Sequence, residues 1–105
     1  MRRMVAVLLL ALLFPWAAGA GRKSKHSLTL KWDPAVSQVG ETVVGYNIYR
    51  SEQENGPYEL IAGKISSLTY TDTAVISRRA YHYKVTSVDA KGRESTAIQT
   101  KATVP

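Results

Sequence analysis

A chain of 105 residues with no cysteine, 14 basic and 8 acidic side chains and a formal charge of +6 excludes a disulfide framework and a cysteine-linked lipid anchor. It holds one small domain, so its stability must come from a densely packed core of aromatic and β-branched residues. Arg78-Arg79 is the only adjacent basic pair after Lys23. That scatter excludes a sequence-specific nucleic-acid reader, and it leaves only general attraction to anionic polymers.

Met1-Arg2-Arg3 opens positive, Val5 to Phe14 is an unbroken apolar run, and Ala18-Gly19-Ala20 is a small-x-small site. These are the three parts of a secretory signal peptide. Residues 1–20 read as that leader, cleaved after Ala20, with the product secreted to the extracellular space or the periplasm. Pro15 and the basic Arg22-Lys23-Ser24-Lys25 cut the run short of the roughly 20 apolar residues that a spanning helix needs. No membrane insertion is expected after cleavage. Arg2 and Arg3 are two of the 14 basic residues, so the remainder carries 12 against 8 acidic ones, a balance of +4.

Residues 21–25 form a short basic segment, and 26–105 form one domain without a helical period. Apolar residues alternate in short runs separated by turn chemistry, as in a small β-sandwich. Leu28, Leu30 and Trp32 share one strand face, and Asp33-Pro34 ends the strand. A second strand over about Thr42 to Arg50 turns Val44, Tyr46 and Ile48 inward and Asn47 and Tyr49 outward. Asn55-Gly56-Pro57 is a turn. Tyr58 to Ala62 and Leu68 to Asp72 are short strands. The longest run, Ala80 to Asp89, sets Tyr81, Tyr83, Val85 and Ser87 against His82, Lys84 and Thr86. Gly92 takes the tight position of a hairpin at Ala90-Lys91-Gly92-Arg93, and Ala97 to Val104 returns along the edge. The expected core is Trp32, Tyr46, Ile48, Tyr81, Tyr83 and Val85.

Taken in order, Leu-x-Leu-x-Trp (Leu28, Leu30, Trp32), Gly-Tyr-Asn-Ile-Tyr-Arg (Gly45 to Arg50), Gly-Pro-Tyr (Gly56 to Tyr58), Tyr-Thr-Asp-Thr (Tyr70 to Thr73), Tyr-x-Tyr-x-Val-x-Ser-Val-Asp (Tyr81 to Asp89) and Gly-x-Glu-Ser (Gly92 to Ser95) resemble a fibronectin type III domain of the kind found in exported bacterial proteins. The resemblance covers residues 26–105. It implies an all-β, immunoglobulin-like sandwich of two antiparallel sheets, strands A, B and E on C, C′, F and G. Trp32 then lies on strand B and Tyr46 on strand C. Tyr81 opens strand F in a tyrosine corner, its ring buried and its hydroxyl bonded to the backbone of the preceding loop, with Val75 beside it.

The sequence departs from the family at two places. Arg78 stands where the family usually has Gly, and Arg at positive φ is strained. Only Gly21 to Lys25 precedes strand B in the processed chain, so strand A is short or missing and one sheet edge is exposed. Basic residues 22–25 can blunt that edge by charge, or a partner can add a strand to it.

Tyr49, Tyr58 and His82 are the candidate binding residues. Tyrosine on a flat sheet offers large contact area at small entropic cost, and it serves equally as a cross-strand pair. His26 and His82 lie far apart without a carboxylate at ligand spacing, so neither metal nor cofactor is expected. Glu52, Glu54 and Glu59 surround a hairpin tip that has no cleft for glycoside hydrolysis and too few oxygens for calcium. Gly92 is followed by Arg93, so no integrin-type Arg-Gly-Asp is present. These features describe a non-catalytic exported module, monomeric, that contacts an unidentified protein or cell-surface polysaccharide or acts as a spacer. The alternative is a carbohydrate-binding accessory protein that stacks sugar on Tyr49, Tyr58 and His82.

Overall fold

The computed structural model describes residues 9–13 as backbone, and residues 26–36 and 40–105 in full. The rest of the stretch read as a leader, its expected cleavage site and the basic segment 21–25 lie outside the described residues. Among the described residues seven strands follow in chain order: β1 (Leu9–Leu13), β2 (Leu28–Trp32), β3 (Val43–Ser51), β4 (Glu59–Ile65), β5 (Thr69–Asp72), β6 (Ala80–Asp89) and β7 (Ile98–Thr103). They form two antiparallel sheets, β1-β2-β5 and β4-β3-β6-β7. The all-β sandwich read from the alternation is therefore present. Its A position holds the short β1, drawn from the apolar N-terminal run and paired with β2 from Leu9↔Trp32 to Leu13↔Leu28.

Alternation along each strand sends one set of side chains between the sheets. Leu28, Leu30 and Trp32 from β2 meet Tyr46 and Ile48 from β3 and Tyr81, Tyr83 and Val85 from β6, with Ala102 and Val104 closing the edge. The Trp32 and Tyr46 rings meet edge to face at 5.7 Å, a favoured aromatic geometry. Tyr46 turns its hydroxyl to the loop after β2, where it accepts a hydrogen bond from Ala35 N at 2.9 Å. Tyr81 does the same before β6, accepting from Ile76 N at 2.9 Å with Val75 buried nearby. That is the geometry of a tyrosine corner.

Val44 corrects the inward set drawn for this strand: it is 47% exposed, and Val43 packs toward the core instead. The β3–β6 register shifts between Val43 and Gly45. Such a bulge places two residues opposite one and reverses the facing of everything before it. Asn47 does lie on the outer side of β3, but it is buried rather than open, because its Oδ1 accepts Lys64 N at 2.9 Å. This contact clamps an irregular stretch of β4 against β3, with Lys64 at φ 53.

Gly45 is required by that close approach. A Cβ there would lie 2.9 Å from Lys64 C and 3.0 Å from its Cα and O, all backbone atoms that cannot swing aside. Gly45→Ala is expected to cost about 1–3 kcal/mol through overpacking, read as a lower urea midpoint at unchanged slope.

Arg78 adopts φ 66, the left-handed conformation that the glycine of related domains would accept without penalty. Arg78 N donates to Val104 O at 2.9 Å and Val104 N to Arg79 O at 2.8 Å, so the β7 end holds the turn in place. The strain costs about 1–2 kcal/mol. Glycine's greater freedom in the unfolded chain offsets part of any relief. Arg78→Gly is expected to stabilise by about 0.5–1 kcal/mol, a rise of roughly 4 °C in Tm. A fall in Tm would mean that the Arg78 side chain contributes more than its backbone costs.

Candidate functional site

The outer face of β3, β6 and β7 carries the three candidate residues. Pairing aligns Tyr49 with Lys84 and Lys84 with Gln99, so these three form one row, while Ser51, His82 and Lys101 form the next. Leu60 on β4 continues the first row beside Tyr49 and is exposed. Tyr58 precedes β4, just after the cis Gly56–Pro57 bond, and its ring reaches over the first row. Lys84 Nζ lies 4.3 Å from the Tyr58 ring centroid, within cation–π range. Gln99 Nε2 donates to the Tyr58 hydroxyl at 3.0 Å, and that hydroxyl donates to Glu54 O at 2.6 Å.

Tyr49 is half-buried and donates to Glu94 Oε1 at 2.6 Å; Thr86 Oγ1 donates to the same oxygen at 2.7 Å. Burial, then the hydrogen bond to Glu94 and its negative charge, push the Tyr49 phenol above its ordinary range. Burial and the nearby Glu54 raise Tyr58 in the same direction. Both phenols are therefore neutral donors over the physiological range. The structure brings Tyr49 and Tyr58 together around Lys84 and sets His82 one row away. Glu94 and Gln99 belong to this cluster although sequence reasoning did not select them. The signal available was their place near the start of the strand after Gly92, which must pair back against Lys84.

Several carboxylates are tied to other groups of the sandwich. Arg50 shares the inward face of β3 with Tyr46 and Ile48, and its Nη1 reaches across to Asp72 on β5, 3.0 and 2.9 Å from the two carboxylate oxygens. Tyr83 donates to Asp72 Oδ2 at 2.8 Å and Ala74 N to Oδ1 at 3.0 Å. Asp72 is 2% exposed, so this network ties the two sheets from within. Burial first, and then Asp72, push the Tyr83 phenol far above its usual value. At the β6–β7 hairpin Asp89 accepts from Lys91 N, Arg93 N and Arg93 Nε at 2.8–2.9 Å. Burial raises the Asp89 carboxyl, but those donors outweigh it and the net shift is downward. Glu52 pairs with Arg79 at 3.1 Å, and Glu59 lies 3.9 Å from Arg50. Among the described residues no three His, Asp or Glu side chains gather as a metal site.

Two packed antiparallel sheets, an inter-sheet ion pair and a tyrosine corner define an immunoglobulin-like β-sandwich module. Among solved structures, a Fn3-like protein from Clostridium thermocellum is 31% identical, with a TM-score of 0.70 over 95% of this chain and 91% of that one. The chain belongs to the fibronectin type III family. No family model matches it. An amylopullulanase of Thermoanaerobacter thermohydrosulfuricus is 49% identical over 57 residues, covering 54% of this chain and 4% of that protein. Exoglucanase B of Cellulomonas fimi is 28% identical over 83 residues, 79% of this chain and 7% of that protein. The chain thus spans a small fraction of the length of these two relatives.

Proposed function

We propose that this chain is an exported, non-catalytic module that serves glycan-cleaving enzymes, as a contact surface or a spacer. The observation that carries this reading is the 49% identity to a stretch making up only 4% of an amylopullulanase. A piece of that size has no room for a substrate cleft beside its own core. The use of carboxylates agrees. Glycoside hydrolysis needs two carboxyl groups facing each other across a cleft, whereas Asp72, Asp89 and Glu94 are bound to groups of the fold. The partner in this reading is a protein or a cell-surface polysaccharide, met by a monomer outside the cytoplasm.

A second reading, carbohydrate binding, is favoured by one observation: Tyr49, Tyr58, Gln99 and Lys84 share a single outer face. There aromatic area and polar donors lie side by side. Native electrophoresis of the chain through gels containing pullulan, soluble starch or carboxymethyl-cellulose tests both readings, alongside a reducing-sugar assay. Release of reducing ends by the purified chain would overturn the non-catalytic reading. Retardation that disappears in Tyr49→Ala and His82→Ala, with Tm nearly unchanged, selects glycan binding. Unretarded migration selects the protein contact or spacer role.

A further inference from the structure

We infer that the outer edge of β2 is a strand-acceptor site for an extended segment of about five aliphatic residues. The backbone geometry says which groups would do the accepting. Successive residues of a strand point their N–H and C=O groups to opposite sides. Trp32 N donates to Leu68 O at 3.1 Å and Leu30 O accepts from Thr69 Oγ1 at 3.0 Å, so the even-numbered residues of β2 face β5. Thr29 and Thr71 sit opposite one another with their hydroxyls 2.9 Å apart, which fits the close, non-hydrogen-bonded pair that this phase requires. The N–H and C=O groups of Thr29 and Lys31 therefore face the other way, toward the edge.

In this structure Leu9–Leu13 occupies that edge, with Leu12 opposite Thr29 and Leu10 opposite Lys31. Five residues of Leu-Leu-Ala-Leu-Leu thus show the length and chemistry that the site takes. The same run is the apolar stretch of the leader. Its withdrawal, by processing or by membrane engagement, leaves four backbone groups in need of partners, and an unpaired edge of this kind templates a strand. The occupant runs antiparallel, and its fifth residue meets Leu28.

The test uses the full chain and amide exchange resolved by residue. Leu10→Pro with Leu12→Pro removes both β1 N–H donors that face β2. Exchange at Thr29 and Lys31 is expected to quicken at least tenfold, while Leu28, Leu30 and Trp32 stay slow and report an intact sandwich. The peptide Leu-Leu-Ala-Leu-Leu, carried on a solubilising tail, should then slow Thr29 and Lys31 again, at a concentration at least threefold lower than the same peptide with its leucines replaced by serine. Lys31→Pro, which removes an edge donor without touching the β5 ladder, should abolish the response at Thr29. No slowing at Thr29 and Lys31 with millimolar peptide overturns the acceptor site, and equal potency of the two peptides overturns its aliphatic specificity. This edge belongs to the β1-β2-β5 sheet and the Tyr49 face to the other, so failure here leaves the glycan-binding reading standing.

Discussion

Asp72→Ala is expected to cost about 3 kcal/mol, the lower end of what removing one partner of a buried ion pair costs. The reason is what stays behind. Arg50 is inward-facing on β3 with its side chain 19% exposed, and it would keep its charge without a carboxylate. Tyr83, fully buried, would keep a hydroxyl without an acceptor. For a domain of this size the loss lowers Tm by more than about 10 °C. Tyr83→Phe is the graded control: Asp72 would still be held by Arg50 and Ala74 N, so about 1 kcal/mol is expected. Replacing the ion pair by Arg50→Met with Asp72→Leu should recover most of the stability, since no charge is then left alone. Urea unfolding of the three variants checks the ordering. A cost below about 1 kcal/mol for Asp72→Ala would mean that solvent relieves Arg50 and that packing alone joins the sheets.

The same network sets an alkaline limit. The Tyr83 phenol is raised in the folded state, by burial first and by Asp72 next. A group raised in this way contributes its stability in full below its unfolded pKa, about 10 for tyrosine, and loses it progressively as pH rises toward the folded value. Wild-type stability should therefore decline above about pH 10. Tyr83→Phe should reduce that limb to the part that Tyr49 and Tyr58, also raised, contribute, while leaving the acid limb, where Asp89 is held below its ordinary range, unchanged.

The readable parts of this fold are those where a single period governs. The strands over Leu28–Trp32 and Ala80–Asp89 lie where strict alternation placed them. Val44 escaped because a bulge interrupts the period, and nothing in Thr42-Val43-Val44-Gly45 distinguishes a bulge from a continuous strand except the glycine, whose reason is a contact with Lys64 across the sheet. Asn47 faces outward as the alternation has it, but the backbone N–H of Lys64 on β4 takes up its side-chain oxygen, a contact that no local pattern announces. The Arg50–Asp72–Tyr83 network joins residues distant in sequence on three strands and two sheets. Its members were visible as an arginine after Tyr49, an aspartate ending a strand and a tyrosine in the core. Their meeting needed the sandwich to be closed. On the outer face, cross-strand register brought Lys84 to Tyr49, but the fold of Tyr58 over Lys84 depends on the loop around Pro57.

Trp32 carries the second large effect, and two substitutions separate its ring from its N–H. Trp32→Ala should cost about 3–5 kcal/mol, because a large side chain, 4% exposed and seated edge-on against Tyr46, leaves a cavity between sheets that cannot close on it. Trp32→Phe keeps an aromatic ring against Tyr46 and removes Nε1, which is buried and finds no acceptor among the described residues. An unpaired buried donor costs about 1–3 kcal/mol, so its removal offsets much of the lost volume. The phenylalanine variant is expected within about 1 kcal/mol of wild type. If chemical denaturation finds it nearly as unstable as the alanine variant, Nε1 has a partner in the folded chain and the indole is retained for its hydrogen bond. If phenylalanine is tolerated, the position selects for ring volume at the junction of β2 with the loop that Tyr46 holds through Ala35. The core then needs an aromatic there and not specifically an indole.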